Sequence, residues 1–250
     1  DGPPTANSTC TQRISSTSPT SWAVRPAGSV DGVTATLPPA LAAAQKLLTD
    51  PPADPDVSRG YLDLLGAQIS DVPENTGLIQ ALWASPIGSL LYDNAQTVAR
   101  RLLTAWQQPT EWLDLPAGGI ALDVGCGPGN VTAALGRAVG PDGLALGVDI
   151  SEPMLARAAA AEAGPNVGFL RADAQRLPLR DASVDAVTSI AMLQLIPDPA
   201  TAIAEMVRVL RPGRRIAVMV PTAGRAASLI RLLPNGGAHA FGDDELADIF

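Results

Sequence analysis

The sequence predicts an α/β fold in which a doubly wound, mainly parallel sheet carries helices on both faces, with a helical cover in front of it. Three observations predict this. From about residue 111 onward, short apolar runs of strand length alternate with longer runs of helical period. The strand runs are almost wholly apolar, as strands buried on both faces must be. A glycine-rich turn directly follows the first strand run and leads into a helix.

Each element follows from its local pattern. Strands are predicted at 120–124, 144–149, 167–171, 184–190 and 215–220. Helices are predicted at 130–139, 153–163 and 199–210. Pro153 and Pro199 suit the first turn of the last two helices, where the missing N–H costs nothing. Acidic residues after Asp243 predict one further helix start.

The chain before the sheet divides into two parts. Residues 1–36 are rich in Ser, Thr, Pro and Gly without periodicity, which predicts a flexible leader. Residues 37–110 read as helical, with helices expected around Leu41 to Leu48, Tyr61 to Ile69, Ile79 to Trp83 and Ala95 to Trp106. These helices either cover the site or pack on the flank of the sheet.

Composition excludes several classes of protein. At 250 residues with 46% hydrophobic content, the chain can bury a sizeable core. A net charge of -8 argues against a nucleic-acid partner. The two cysteines, Cys10 and Cys126, predict neither a disulfide framework nor a metal site. We expect no membrane span and, in the absence of a secretory leader, a cytoplasmic protein.

The glycine turn predicts a site for an anionic group. Gly125, Gly127 and Gly129 are spaced two apart, and the helix that follows directs free N–H groups toward the same place. Both dinucleotides and other nucleoside cofactors use such turns. A dinucleotide fingerprint requires G-x-G-x-x-G, but its last position is Asn130 here, which weakens the dinucleotide alternative.

The turn resembles a known family. The stretch LDVGCGPGNVT is similar to the first motif of the class I S-adenosylmethionine-dependent methyltransferases. Later segments follow in that family's order and spacing, over 115 to about 220: GVDIS, RADAQRLPL, LQLIPDP and VLRPG. The stretch SPIGSLLYD at 85–93 resembles the region before the core in quinone methyltransferases. The resemblance implies a Rossmann-like core at 111–250, short of the family's last two strands.

The resemblance also implies S-adenosylmethionine as cofactor, with S-adenosylhomocysteine as product, and assigns the residues that bind it. Asp123 would hold the loop or reach the cofactor's amino group through water, and Asp149 would accept both ribose hydroxyls. Asp173 and the Ala174 N–H would bind the adenine; a turn cap is the alternative for Asp173. The other candidates are the loop N–H groups for the methionine carboxylate, two apolar walls for adenine and one residue beside the methyl group: Gly125, Cys126, Gly127, Gly129, Ile150, Met154 and Ser189.

The residues that would act on a methyl acceptor are less defined. Similar enzymes frequently have a histidine in the segment written LQLIPDP here, where this chain has Gln194 and Leu195. Tyr92, Asp93 and His239 are the remaining candidates for catalysis. Because no evident base is present, an acidic phenol, an enolate-like carbon or a carboxylate suits the sequence better than an alcohol.

The sequence thus predicts O- or C-methylation of a small, partly apolar acceptor by in-line displacement. Two alternatives stay open at this point. One is an NAD(P)-dependent oxidoreductase on the same topology. The other is a protein that binds S-adenosylmethionine without turnover and acts as a partner of another protein.

Overall fold

The computed structural model describes residues 37–65 and 112–220, and its centre is one parallel sheet. The strands are β1 (Leu62–Asp63), β2 (Ile120–Val124), β3 (Leu144–Asp149), β4 (Val167–Arg171), β5 (Val184–Ile190) and β6 (Leu210–Met219). Their order across the sheet is β1-β4-β3-β2-β5-β6, and every neighbouring pair is parallel. Four of the five predicted strands have the observed bounds, and the fifth begins earlier, at Leu210.

Helices cover both faces of the sheet. They are α1 (Pro39–Gln45), α2 (Asn130–Val139), α3 (Glu152–Glu162) and α4 (Pro199–Val209), with a short 3-10 helix at Leu193–Leu195. Buried residues of α1 and α4 share one core with the sheet, whereas those of α2 and α3 belong to the core on the other face. The predicted doubly wound fold class is confirmed in this part of the chain.

The sheet topology determines where a ligand can bind. The chain leaves β2 toward β3 and β4 on one side and then continues to β5 and β6 on the other side. This reversal creates a crevice beyond the carboxyl ends of the central strands, which is where open α/β sheets bind their ligands. The loops after Val124, Asp149 and Ile190 all begin at that edge.

The predicted helix at Tyr61 to Ile69 is wrong over its described part. Leu62–Asp63 forms an edge strand instead, with Leu62 paired to Leu170 and Asp63 to Arg171. Tyr61 is buried in one core and Leu62 in the other, so successive residues serve opposite faces of the sheet. That is the period of a strand, not of a helix. Gly60 precedes it at a φ of +82°, a conformation that favours glycine.

Of the predicted helical cover, the described part contains α1 and β1. The helix expected around Leu41 is present, but it ends at Gln45, and Leu48 forms an isolated antiparallel bridge with Leu179. The leader at 1–36, the helices expected within 66–111 and the helix expected after Asp243 lie outside the described residues. Within 37–65 and 112–220, no helix has the length and apolar character needed to cross a membrane.

Asn166 stabilises the end of α2. Its Nδ2 donates to the Gly140 carbonyl at 2.8 Å and to the Gly136 carbonyl at 2.9 Å. Asn166→Ala leaves both oxygens without this donor, so we expect the free energy of unfolding to fall by about 1 to 2 kcal/mol. Urea unfolding at neutral pH measures the change. An unchanged free energy of unfolding would show that water replaces the amide at no cost.

Candidate cofactor site

The glycine turn is fixed on one side and open on the other. Gly125, Gly127 and Gly129 have φ angles of +77°, +50° and +85°, which side-chain-bearing residues rarely adopt. A Cβ on Gly125 would lie 2.2 Å from Cγ of Met192, so this glycine packs directly against the segment after β5. Among residues 37–65 and 112–220, a Cβ on Gly127 would have no atom within 4 Å. Gly127 therefore faces the space in which a ligand can approach the main chain.

The N–H groups of the turn have partners inside the protein. Those of Gly125 and Cys126 donate to the Val148 carbonyl at 2.8 and 3.0 Å, and that of Gly129 donates to the Cys126 carbonyl at 3.0 Å. The Gly127 N–H donates to Asp149 Oδ2 at 2.8 Å. The predicted donation from these groups to a methionine carboxylate stays a prediction. The first turn of α2 is the adjacent source of N–H groups without intrahelical partners.

Asp149 joins two loops of the crevice. While Oδ2 accepts from Gly127, Oδ1 accepts from the Ser151 N–H at 2.9 Å. Burial raises the pKa of this carboxyl, and the hydrogen bonds from the Ser151, Gly127 and Ile150 N–H groups oppose the rise. Each carboxylate oxygen can accept a second hydrogen bond. Asp149 can therefore hold the glycine turn and still bind the hydroxyl groups of a ligand.

Asp123 lies beneath the turn, not in the crevice. Its carboxylate is buried and accepts from Thr132 Oγ1 at 2.7 Å and from Thr188 Oγ1 at 3.0 Å. These bonds join β2 to α2 and β5, which favours the role of holding the loop. Burial raises the pKa of Asp123 to about 6, the two threonine hydrogen bonds lower it, and the charge of Asp149 raises it.

This shift predicts a pH dependence of stability. The folded state binds the Asp123 proton more tightly than the unfolded state, so the resulting stability is present below the ordinary pKa of 3.8 and is lost as pH rises through about 6. Over that window the wild type should lose up to about 3 kcal/mol relative to Asp123→Asn, which does not titrate. Urea unfolding of both proteins at about pH 4 and about pH 8 measures this difference. A constant difference would contradict the raised pKa.

The residues proposed around an adenine lie at the same sheet edge. Ile150 and Met154 are half-buried, and neither belongs to either hydrophobic core, so the alternative that Met154 is a core residue is not supported. Asp173 Oδ1 accepts from the Gln175 N–H at 2.9 Å, which is the turn cap that the alternative reading expected. Ala174 packs partly against the core below it.

Two polar side chains near the carboxyl end of β5, Ser189 within the strand and Gln194 after it, have hydrogen-bonding capacity that no described residue uses. Ser189 is buried, and its Oγ has no hydrogen-bond partner. Gln194 Nε2 donates to the Ala191 carbonyl at 2.7 Å, while its Oε1 is buried without a partner. Ala191, between the two, has a φ of +54°, so the turn that leads from β5 to Gln194 is strained.

Cys126 does not have the properties of a nucleophile. Its side chain is buried, and burial together with the nearby charges of Asp149 and Asp123 raises its pKa well above the ordinary value. A thiol in this state stays protonated at neutral pH. The other catalytic candidates, Tyr92, Asp93 and His239, lie outside the described residues.

Sequence reasoning missed three features of this site. Thr132 and Thr188 hold Asp123, and Met192 packs on Gly125. The third is Arg171, whose Nε donates to the Ile150 carbonyl at 3.4 Å. A charged residue at the end of the otherwise apolar run VGFLR was the signal that could have identified it.

Comparison with known proteins identifies the domain. Residues 122–218 match the sequence profile of a family described as a methyltransferase domain. Over these residues the chain is similar to the class I S-adenosylmethionine-dependent methyltransferases. The resemblance predicted from five segments of the sequence is thus confirmed, and S-adenosylmethionine is the cofactor of the family.

Curated relatives of this methyltransferase domain match over part of their length. The demethylmenaquinone methyltransferase of Shouchella clausii is 40% identical over 116 residues, which are 45% of this chain and 49% of that protein. The enzyme of the same name from Staphylococcus aureus is 47% identical over 94 residues, 37% of this chain and 39% of that protein. An uncharacterised transposon TN4556 protein of Streptomyces fradiae is 43% identical over 110 residues, 44% of this chain and 32% of that protein. The chain therefore spans half or less of the length of these relatives.

Solved structures agree on the fold of the methyltransferase domain. A SAM-dependent methyltransferase from Thermotoga maritima superposes with a TM-score of 0.53 at 24% identity, covering 68% of this chain and 77% of that one. Magnesium protoporphyrin IX methyltransferase from Synechocystis, solved with bound SAH, gives 0.50 at 19% identity, covering 70% and 86%. At this level of identity the likeness shows the fold alone.

Proposed function

We propose that this domain binds S-adenosylmethionine and transfers its methyl group to a small acceptor. The observation that carries the proposal is the open face of Gly127 beside Asp149, at the reversal point of a methyltransferase sheet. A cofactor can approach the main chain there without meeting a side chain, and a carboxylate with spare acceptor capacity lies next to it. The residues present therefore fit the nucleoside and amino-acid ends of this cofactor.

Different described residues would bind the ribose, the adenine and the methionine part of the cofactor. Asp149 would accept hydrogen bonds from the ribose hydroxyls, and Ile150 and Met154 would flank the adenine. Asp173 and the Ala174 N–H would bind the adenine edge. The first turn of α2, which starts at Asn130, would receive the methionine carboxylate at the positive end of the helix dipole.

The chain's own contribution to methyl transfer would be alignment and exclusion of water. S-adenosylmethionine supplies an already activated methyl group when bound, so no cysteine nucleophile is needed. Holding the acceptor in line with the methyl group can provide about 7 to 11 kcal/mol of the barrier. Among the described residues, Ser189 near the end of β5 and Gln194 after it have unused hydrogen-bonding capacity, and both can orient an acceptor hydroxyl.

We infer a partly apolar aromatic acceptor with an acidic hydroxyl, such as a naphthohydroquinone, methylated at oxygen or at the adjacent carbon. The names of the Shouchella and Staphylococcus relatives support a quinone-type molecule. The chemistry of the site supports an acidic hydroxyl, because Gln194 occupies the position at which a basic histidine was expected and an amide is not a base. Such a hydroxyl ionises without a strong base.

Calorimetric titration of the full chain tests the cofactor. We expect micromolar binding of S-adenosylmethionine and S-adenosylhomocysteine and no binding of NADH. Transfer of labelled methyl from S-adenosylmethionine to a chemically reduced naphthoquinone then tests turnover. Binding of NADH alone would establish the oxidoreductase alternative. Binding of the S-adenosyl compounds without transfer to any hydroquinone, phenol or carboxylic acid would favour a non-catalytic partner protein.

A further inference from the structure

A buried ion pair connects the edge strand β1 to the end of β4. The side chains of Asp63 and Arg171 are only 4% and 3% exposed, and Arg171 Nη1 lies 3.0 Å from Asp63 Oδ2. On its other side, Arg171 Nη2 lies 3.0 Å from Glu152 Oε1, in the first turn of α3. Arg59 pairs with both Asp63 and Glu152 from the surface.

The same guanidinium contacts the main chain of the proposed ribose and adenine loop. Arg171 Nε donates to the carbonyl of Ile150, the residue directly after Asp149. One planar group thus holds the loop at Ile150 and at Glu152, and Asp63 fixes that group from the neighbouring strand. The loop from Asp149 to Glu152 is therefore positioned by a segment that lies far earlier in the chain. Arg59 of that segment and Glu152 are 93 positions apart.

We propose that Asp63 and Arg171 are positioning residues for the nucleoside half of the cofactor, acting through the main chain of Ile150 on Asp149. This inference rests on the proposed function of the same site. Without Asp63, the buried guanidinium would move toward Glu152 or toward solvent, because a buried charge needs a partner. The Ile150 carbonyl would lose its donor, and the Asp149 carboxylate would no longer be held where the ribose hydroxyls bind.

The test compares Asp63→Asn with Asp185→Asn in the full chain. Asp185 is a matched control because its side chain is also 4% exposed and pairs with two arginines, Arg211 and Arg214. Asp185 differs from Asp63 in its location. It lies at the amino end of β5 and accepts from the Ile120 N–H at the start of β2. Both changes remove the charge of a buried carboxylate that pairs with two arginines, but only Asp63 lies beside the proposed nucleoside loop.

The readout is calorimetric titration with S-adenosylhomocysteine, which yields Kd and stoichiometry separately. We expect Asp63→Asn to raise Kd by about 10-fold at a stoichiometry near that of the wild type, and Asp185→Asn to leave Kd unchanged. Asp63→Glu, which retains the charge, should recover part of the loss. If Asp63→Asn does not fold, Arg59→Ala removes an exposed member of the network and should raise Kd by about threefold.

Two results would overturn the inference. One is an equal Kd for the wild type and Asp63→Asn; the other is a fall in stoichiometry alone, which a purely structural role would produce. Binding of the wild type separates this inference from the proposed function. If the wild type itself binds neither S-adenosyl compound, the proposed function fails; if it binds and Asp63→Asn binds equally well, only the positioning role fails.

Discussion

Asp149→Ala is expected to raise the Kd for S-adenosylhomocysteine by at least about 100-fold, since hydrogen bonds to a charged group contribute about 1.5 to 3 kcal/mol each. The change removes the proposed acceptor of the ribose hydroxyls. It also removes the acceptor of the Gly127 and Ser151 N–H groups, so the glycine turn and the ribose loop are no longer joined. The loss should exceed that of any other single carboxylate in the described domain.

Calorimetric titration measures this loss, and Asp142→Ala is its control. Asp142 is an exposed acidic residue in the turn before β3, and its removal changes the net charge equally. Circular dichroism at the titration temperature separates a binding defect from unfolding. We expect Asp149→Ala to keep its secondary structure, because removing a buried carboxylate also removes the cost of its desolvation. Binding within threefold of the wild type, about 0.7 kcal/mol, would rule out the ribose role.

The sequence predicted the central strands well because their signal is local. Runs such as 144–149 are apolar on both faces and follow a glycine turn, and few other structures can satisfy that pattern. The helix prediction for Tyr61 to Leu65 was wrong for the opposite reason. Its apolar residues fit a helical period, and only pairing with Leu170 and Arg171, which are remote in sequence, determines that the segment is extended.

The features of the proposed site also divide into those that the sequence could predict and those that it could not. Asp149 and the three glycines could be proposed from the sequence as site residues, because that proposal needs only residue type and position relative to a strand end. The partners of the loop N–H groups could not. Whether the Gly125 and Cys126 N–H groups point to a ligand or to the Val148 carbonyl depends on how β2 and β3 are aligned. Likewise, the alignment of β1 with β4 places Asp63 beside Arg171, and no spacing within the sequence indicates that contact.

Gly127→Ala is expected to weaken cofactor binding strongly while the domain stays folded. A Cβ at this position meets no atom of the described part of the chain within 4 Å, so the folded state bears only the cost of a φ of +50° in a non-glycine residue, about 1 to 2 kcal/mol. The methyl group would instead occupy the space proposed for the cofactor. Overlap of that kind costs up to about 3 kcal/mol, so the Kd for S-adenosylhomocysteine should rise by about 100-fold.

Gly213→Ala is the matched control, because Gly213 has a φ of +76° and its Cβ would likewise meet nothing within 4 Å. It lies in the turn of β6 beside Arg211 and Arg214, at the amino end of the sheet. Both variants should lose comparable stability in urea unfolding, but only Gly127→Ala should lose binding in calorimetric titration.

Gly125→Ala should give the opposite pattern from Gly127→Ala. Its Cβ would lie 2.2 Å from Met192 Cγ, so the turn itself must shift and the melting temperature should fall more than in either other variant. If Gly127→Ala binds S-adenosylhomocysteine like the wild type, the open face of the turn is not the cofactor's path to the main chain. The methionine end of the cofactor would then have to lie elsewhere along the carboxyl edge of the sheet.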